Sequence, residues 1–310
     1  MAKSRRIREI DCLGTAVAGI RMVLTARLDE MCELRQSALD FKDPEGVHSM
    51  RVASRRLRSA LHDFKPYVNK GGLAATLKQI RSIADALGEV RDEDVAILAL
   101  ETVASHSAAQ MKGPLHAIIE SRKEARRTAR QQLRKIIVKK RMSQLALDFD
   151  KAITTATNAP EQNNTLSYVN MAREIIRDRL DELESLSNGL YKPLDEEPLH
   201  EMRIAAKRLR YAIELFQECW SSGLEGFAKS AAGVQSALGN LHDCDVWITS
   251  FGKEIVKSKE SKELDQSEAF VFLLSHFLRV RNRHLREAFS QWKAWETEGL
   301  GLKLRELIKS

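Results

Sequence analysis

Apolar residues along this chain recur at the spacing of a helix face rather than of a strand. Between positions 47 and 64, Met50, Ala53, Leu57, Leu61 and Phe64 share one side of a helical wheel, a core stripe. The same stripe is written again by Met202, Ala205, Leu209, Ile213 and Phe216. Alternating β-branched and aromatic runs, the mark of strands, are nearly absent. Long tracts of Ala, Leu, Arg, Glu, Lys and Gln favour helix, and only 6 prolines and 15 glycines interrupt the 310 residues. The pattern predicts an all-α protein with four helices per half. They fall near 10–39, 44–68, 72–106 and 113–148, then near 166–187, 196–219, 224–258 and 266–308. Asp43-Pro44-Glu45 and Glu196-Glu197-Pro198 each place an acid and a proline at a helix start. Gly71-Gly72 closes one helix and Gly113-Pro114 opens another. The polar stretch Thr157–Thr165 reads as a joint, dividing the chain into halves 1–155 and 156–310.

The two halves repeat each other. VHSMRVASRRLR at 47–58 returns as LHEMRIAAKRLR at 199–210, a shift of 152 positions. Upstream, Val17, Arg21, Arg27, Leu28 and Leu34 match Val169, Arg173, Arg179, Leu180 and Leu186 at the same shift. Downstream the shift is 151, pairing Lys78, Leu87, Gly88, Asp92, Asp94 and Val95 with Lys229, Leu238, Gly239, Asp243, Asp245 and Val246. An internal duplication, with one residue lost from a loop, follows. Gly88 and Gly239 lie within helical patterns, where close helix packing or a kink is the expected reason and a ligand near the backbone the alternative.

The repeated cassette carries the chemistry. His48, Arg51, Arg55, Arg58 and His62 fall within a sector of about 80° opposite the core stripe. Their edge is roughly 21 Å long at 1.5 Å per residue. His200, Arg203, Lys207 and Arg210 repeat it, with Glu214 in place of His62. No acid lies between Val47 and Ala60, although like charges at this spacing repel. Either an outside anion or carboxylates of neighbouring helices must compensate; Asp92, Asp94, Asp243 and Asp245 are the obvious internal suppliers. Arginine suits phosphate because its planar fork donates two parallel hydrogen bonds. Further bases recur at helical spacing: Arg122, Arg126 and Arg130, then Arg279, Arg283 and Arg286. The equivalent pairs Lys78/Lys229 and Arg21/Arg173 complete the set of candidate anion ligands.

Composition adds less. Fifty Lys and Arg against 43 Asp and Glu give a net charge of +7, modest enough that arrangement rather than sum must carry the argument. The N-terminus lacks the apolar core of a signal peptide, and no apolar run is long enough to span a bilayer. A cytoplasmic protein without membrane contact is expected. Cys12, Cys32, Cys219 and Cys244 show no metal spacing and read as small reduced hydrophobes. No metal site and no cofactor is expected.

H-x-x-R-V-x-x-R-R-L-R at His48–Arg58 with L-G-x-x-R-D-x-D-V at Leu87–Val95, repeated at His200–Arg210 and Leu238–Val246, resembles the CHAD family of conserved-histidine α-helical domains. The likeness runs from about residue 10 to about 305. It implies two four-helix bundles related by a pseudo-twofold axis, with a basic groove or pore that binds inorganic polyphosphate. It also implies association with polyphosphate granules; separately, the sequence has no P-loop, nucleophile elbow or H-E-x-x-H, and no catalysis is expected. By position the likeness assigns ligand roles to His48, Arg51, Arg55, Arg58, His200, Arg203, Lys207 and Arg210. The second loop motif departs from the family, since Leu241-His242-Asp243 stands where Arg or Asn usually precedes the Asp.

The ligand suits the residues. Polyphosphate has no base to stack, aromatic residues make up 6% of the chain, and Phe64 and Phe216 belong to the core stripe. No recognition helix with Asn or Gln among its bases is evident, so no specific nucleic acid is expected. Two alternatives stay open: a metal-dependent phosphohydrolase built on the histidines and His242–Asp245, and a nucleic-acid or phosphoprotein adaptor. The first is poorly served by adjacent His242 and Asp243, which point to different sides of a helix. Chain-length preference, oligomeric state and physiological role are not written in the sequence.

Overall fold

The computed structural model describes residues 7, 10–69, 72–157, 165–220, 223–261 and 264–309, with the side chains of 258–261 and 264–265 excepted. Gly71 and most of the Thr157–Thr165 joint lie outside the described residues. The chain forms two compact units, Met1–Met171 and Ala172–Ser310. Among the described residues the only β pairing is an isolated bridge between Thr15 and Ser167. No helix there is long and apolar enough to cross a membrane.

In the first unit the helices are α1 (Ala16–Glu33), α2 (Arg35–Leu39), α3 (Pro44–Asp63), α4 (Ala74–Ser105), α5 (Ala109–Ile136) and α6 (Lys139–Thr157). The start of α3 follows from its sequence: Asp43 accepts the Glu45 amide at 2.9 Å, and Pro44 occupies the first turn. Met50, Ala53, Leu57 and Phe64 are buried, and α3 packs against α1, α2 and α4. Helix α4 also packs on α5.

Helix α7 (Tyr168–Ser185) begins at the end of the first unit and continues into the second. The second unit continues with α8 (Glu196–Phe216), α9 (Glu225–Ser261), α10 (Leu264–Thr297) and α11 (Leu300–Lys309). Helix α9 packs on α8 and α10, and Met202, Leu209, Ile213 and Phe216 are buried. The starts of α8 and α9 follow those of α3 and α4 by 152 and 151 positions, the shifts of the sequence repeat.

Three expected helices are each two: the stretch expected at 10–39 forms α1 and α2, parted at Leu34. The stretch expected at 113–148 breaks after Ile136, where three β-branched residues, Ile136-Ile137-Val138, weaken the helix. The freed Ile137 carbonyl accepts from Arg35 Nε at 2.6 Å, and the Ile137 side chain is buried. Pro114 lies inside α5 rather than at its start. The stretch expected at 266–308 breaks at Gly299, whose φ of 61° is a conformation that side chains rarely adopt. The helix expected from residue 10 starts only at Ala16, capped by Thr15, whose Oγ1 accepts the Ala18 amide at 3.3 Å.

The duplication extends to ionic contacts that the cassette alone did not reveal. Glu30 accepts from Arg27 at 2.8 Å and lies 3.7 Å from Arg56. Their counterparts repeat the triad: Glu182 pairs with Arg179 at 3.2 Å and with Arg208. Asp94 pairs with Arg130 at 3.3 Å across α4 and α5, and Asp245 with Arg281 across α9 and α10 at the matching positions. Arg21 donates to Thr157 Oγ1 at 2.8 Å, and Arg173 to the Ile308 carbonyl at 2.7 Å. These last two reach the C-terminal turns of α6 and α11, where a cation is favoured. Of the cysteines, Cys32 and Cys244 are free thiols, and burial pushes both up to about 11; Cys12 and Cys219 are not free, which corrects the expectation of four reduced thiols.

Candidate anion-binding surfaces

On α3 the two faces separate the arginines. Arg56 turns inward to Glu30 and is 6% exposed, whereas Arg51, Arg55 and Arg58 line a cleft against α4. The cleft measures about 340 Å³. A single water occupies about 30 Å³, so the cleft suits an extended ligand better than one small ion. Ser54, Ala84, Asp85, Gly88, Glu89 and Asp92 complete its walls. Arg51 donates to Asp92 at 3.2 Å, at an exposed position. Neither Arg55 nor Arg58 pairs with a carboxylate of the described residues. Arg55 Nε and His48 Nδ1 are buried without a hydrogen-bond partner. Burial, then the Arg91 guanidinium, holds His48 below the ordinary imidazole range.

Gly88 is not a packing glycine, as first expected. A Cβ built there would meet only Arg51 Nε, at 3.9 Å, and one built at Gly239 would meet nothing within 4 Å. Both leave open space beside the stripe helix, and the signal for Gly88 was its equivalence to Gly239. Asp85 and Glu89 were missed as cleft residues, and they place two further carboxylates there. Their counterparts on α9 are the neutral Ser236 and Asn240.

On α8 the stripe differs. Arg203 Nη2 donates to His200 Nδ1 at 3.4 Å, and the Nδ1 atoms of His200 and His242 are also 3.4 Å apart. The two rings lie 4.6 Å apart, centroid to centroid. Burial first, then Arg203, lowers both imidazoles; Lys207 adds to the effect on His200, and His242 is pushed down to about 4. Arg210 is buried, donates to Glu214 at 2.7 Å and to Gln235 at 3.3 Å, and so does not mirror the exposed Arg58. Glu214, standing where the first unit has the exposed His62, is the residue that makes the difference.

The remaining candidates divide in the same way. Arg122 pairs with Glu93 at 3.2 Å, and Arg126 with Asp94 at 3.1 Å, so α4 carboxylates engage the α5 arginines. Arg130 and Arg134 also lie over the Phe41 ring at 5.0 and 4.8 Å. Arg21 and Arg173 hold helix ends as described. Lys78, Lys229, Arg279 and Arg283 are exposed. Among the described residues no group of three or more His, Cys, Asp or Glu could hold a metal ion.

These features define a class: an all-helical, internally repeated protein that presents a His/Arg/Lys edge on one helix of each unit. The CHAD domain family model matches residues 22–251, and the chain belongs to that family. Among solved structures, the CHAD domain from the plant Ricinus communis is similar over 94% of this chain and 97% of its own, with 21% identity and a TM-score of 0.75. PptA from Streptomyces chartreusis is similar over 90% of this chain and 100% of its own, with 14% identity and a TM-score of 0.66. At these identities the likeness speaks for the fold. No curated protein matches the chain.

Proposed function

We propose that this chain binds inorganic polyphosphate through the basic edges of α3 and α8, as a binding protein rather than an enzyme, and associates with polyphosphate granules in the cytoplasm. The observation that carries the reading is the pair Arg55 and Arg58. Both line an open cleft and neither pairs with a carboxylate of the described residues, although Asp85 and Glu89 line the same cleft. Arg56, between them, is engaged by Glu30. Guanidinium forks left over by the fold suit phosphate oxygens, and a flexible chain of phosphates suits a long edge better than a point site. The absence of aromatic platforms along the cleft favours this ligand over single-stranded nucleic acid. Membership of the CHAD family, which is associated with polyphosphate, supports the same conclusion.

Calorimetric titration with long-chain polyphosphate at two salt concentrations tests it. The wild type should bind with strong salt dependence, because counterion release dominates. R55Q/R58Q should bind at least about tenfold more weakly, with a salt slope smaller by about two, one per lost phosphate contact. Its melting temperature should be unchanged, since neither arginine pairs with a carboxylate of the described residues. Equal affinity of wild type and double variant sinks the proposal, as does duplex DNA binding that matches polyphosphate per charge.

A further inference from the structure

Position 242 is where the two halves part company. The residue 151 positions earlier is Arg91, a permanent cation beside His48. In the second unit a histidine takes its place and meets His200 directly. One proton arrangement makes hydrogen bonds of both 3.4 Å contacts. Arg203 can only donate, so His200 Nδ1 is the acceptor and its proton sits on Nε2. His242 Nδ1–H then donates to the same lone pair. Both rings are neutral in this arrangement, and the proton added most easily goes to His242 Nε2, which leaves both contacts intact.

The surroundings oppose that proton while the site is empty. On α8, Arg203 and Lys207 repel it, and Glu197 and Glu201 attract it toward His200. On α9, Asp245 attracts it toward His242, but Arg281 of α10 already engages the Asp245 carboxylate. A phosphate oxygen brought against Arg203 and His242 reverses the balance, because it supplies the negative charge that an imidazolium needs.

We infer that the second unit binds phosphate chains with proton uptake: contact with the chain draws one proton from solvent onto His242 Nε2, so affinity at this surface rises as the medium becomes more acid. The first unit, with Arg91 at the matching place, depends on pH less. The inference rests on the polyphosphate reading and adds a regulation to it. The responsive window lies between His242's empty-site value of about 4 and the ordinary imidazole value of about 6.5 or above.

Titration of the full chain with long-chain polyphosphate, at about pH 6 in buffers of different ionisation enthalpy, measures the protons taken up. Wild type should show net uptake, H242R and H242Q much less, and R91H more. Between about pH 7.5 and 5.5 the wild type should gain about tenfold more affinity than H242R, as expected for one linked proton. H242R should bind at least as tightly as wild type at the higher pH. Equal proton uptake by wild type, H242R and H242Q overturns the inference while leaving polyphosphate binding in place. No binding by wild type at either pH overturns the binding reading instead. The R91H arm reads the same coupling in the other unit, so a misfolded H242 variant does not leave the question open.

Discussion

Arg56 faces Glu30 from within α3, while Arg55 and Arg58, its near neighbours in sequence, face the cleft. The difference comes from rotation about the helix axis, about 100° per residue, which carries adjacent side chains to different environments. The stability consequences differ. Glu30→Gln removes the carboxylate charge that Arg27 and Arg56, 4% and 6% exposed, share. Breaking a buried pair from one side costs about 3–5 kcal/mol, and denaturant unfolding should register a loss of that order. Glu182→Gln should cost less, because the Arg208 side chain is 32% exposed and water compensates part of the loss. The cassette made both sets of arginines visible in sequence. It did not sort them, since the partner Glu30 lies on another helix, 26 positions before Arg56.

Helices were legible where periodicity and caps agree. Asp43-Pro44-Glu45 marked the start of α3, and the core stripe marked its buried face. The breaks at Ile137 and Gly299 were less legible. A β-branched run lowers helix propensity only slightly, and its effect depends on whether burial of Ile137 and capture of its carbonyl by Arg35 reward the break. Glycine in a helical tract carries two meanings, and α4 and the α10–α11 junction show one each. Gly88 is helical and open, so Gly88→Ala should raise stability by up to about 1 kcal/mol. Gly299 has positive φ, so Gly299→Ala should lower stability by about 1–2 kcal/mol, although its Cβ would meet nothing within 4 Å. Thermal unfolding of the two variants should therefore move in opposite directions. A fall in polyphosphate affinity in Gly88→Ala would show that the ligand approaches the α4 backbone.

At the scale of the whole molecule, three histidines, one on each stripe and His242 on α9, sit below their ordinary range. His48, His200 and His242 are lowered mainly by burial, with neighbouring guanidinium groups next in effect. The unfolded chain therefore binds more protons than the folded one as pH falls below about 6.5, and folding loses stability over that interval. For His242 the loss is complete near its folded value of about 4. Melting temperature should drop on acidification from about pH 7.5 to 5, and H242Q should drop less. Polyphosphate should restore more of it at the acid end, because a ligand held only by the folded chain stabilises in proportion to its affinity.

The order of residues alone determined the helical class, the duplication and the cationic edges, because periodicity, caps and repeats are properties of spacing. Which cations remain for a ligand was decided only in three dimensions. Glu30, Asp94, Glu182, Glu214 and Asp245 each select particular arginines, and all but Glu214 do so across helices. Electrostatic pairing depends on distance in space and on burial, and neither is carried by position along the chain.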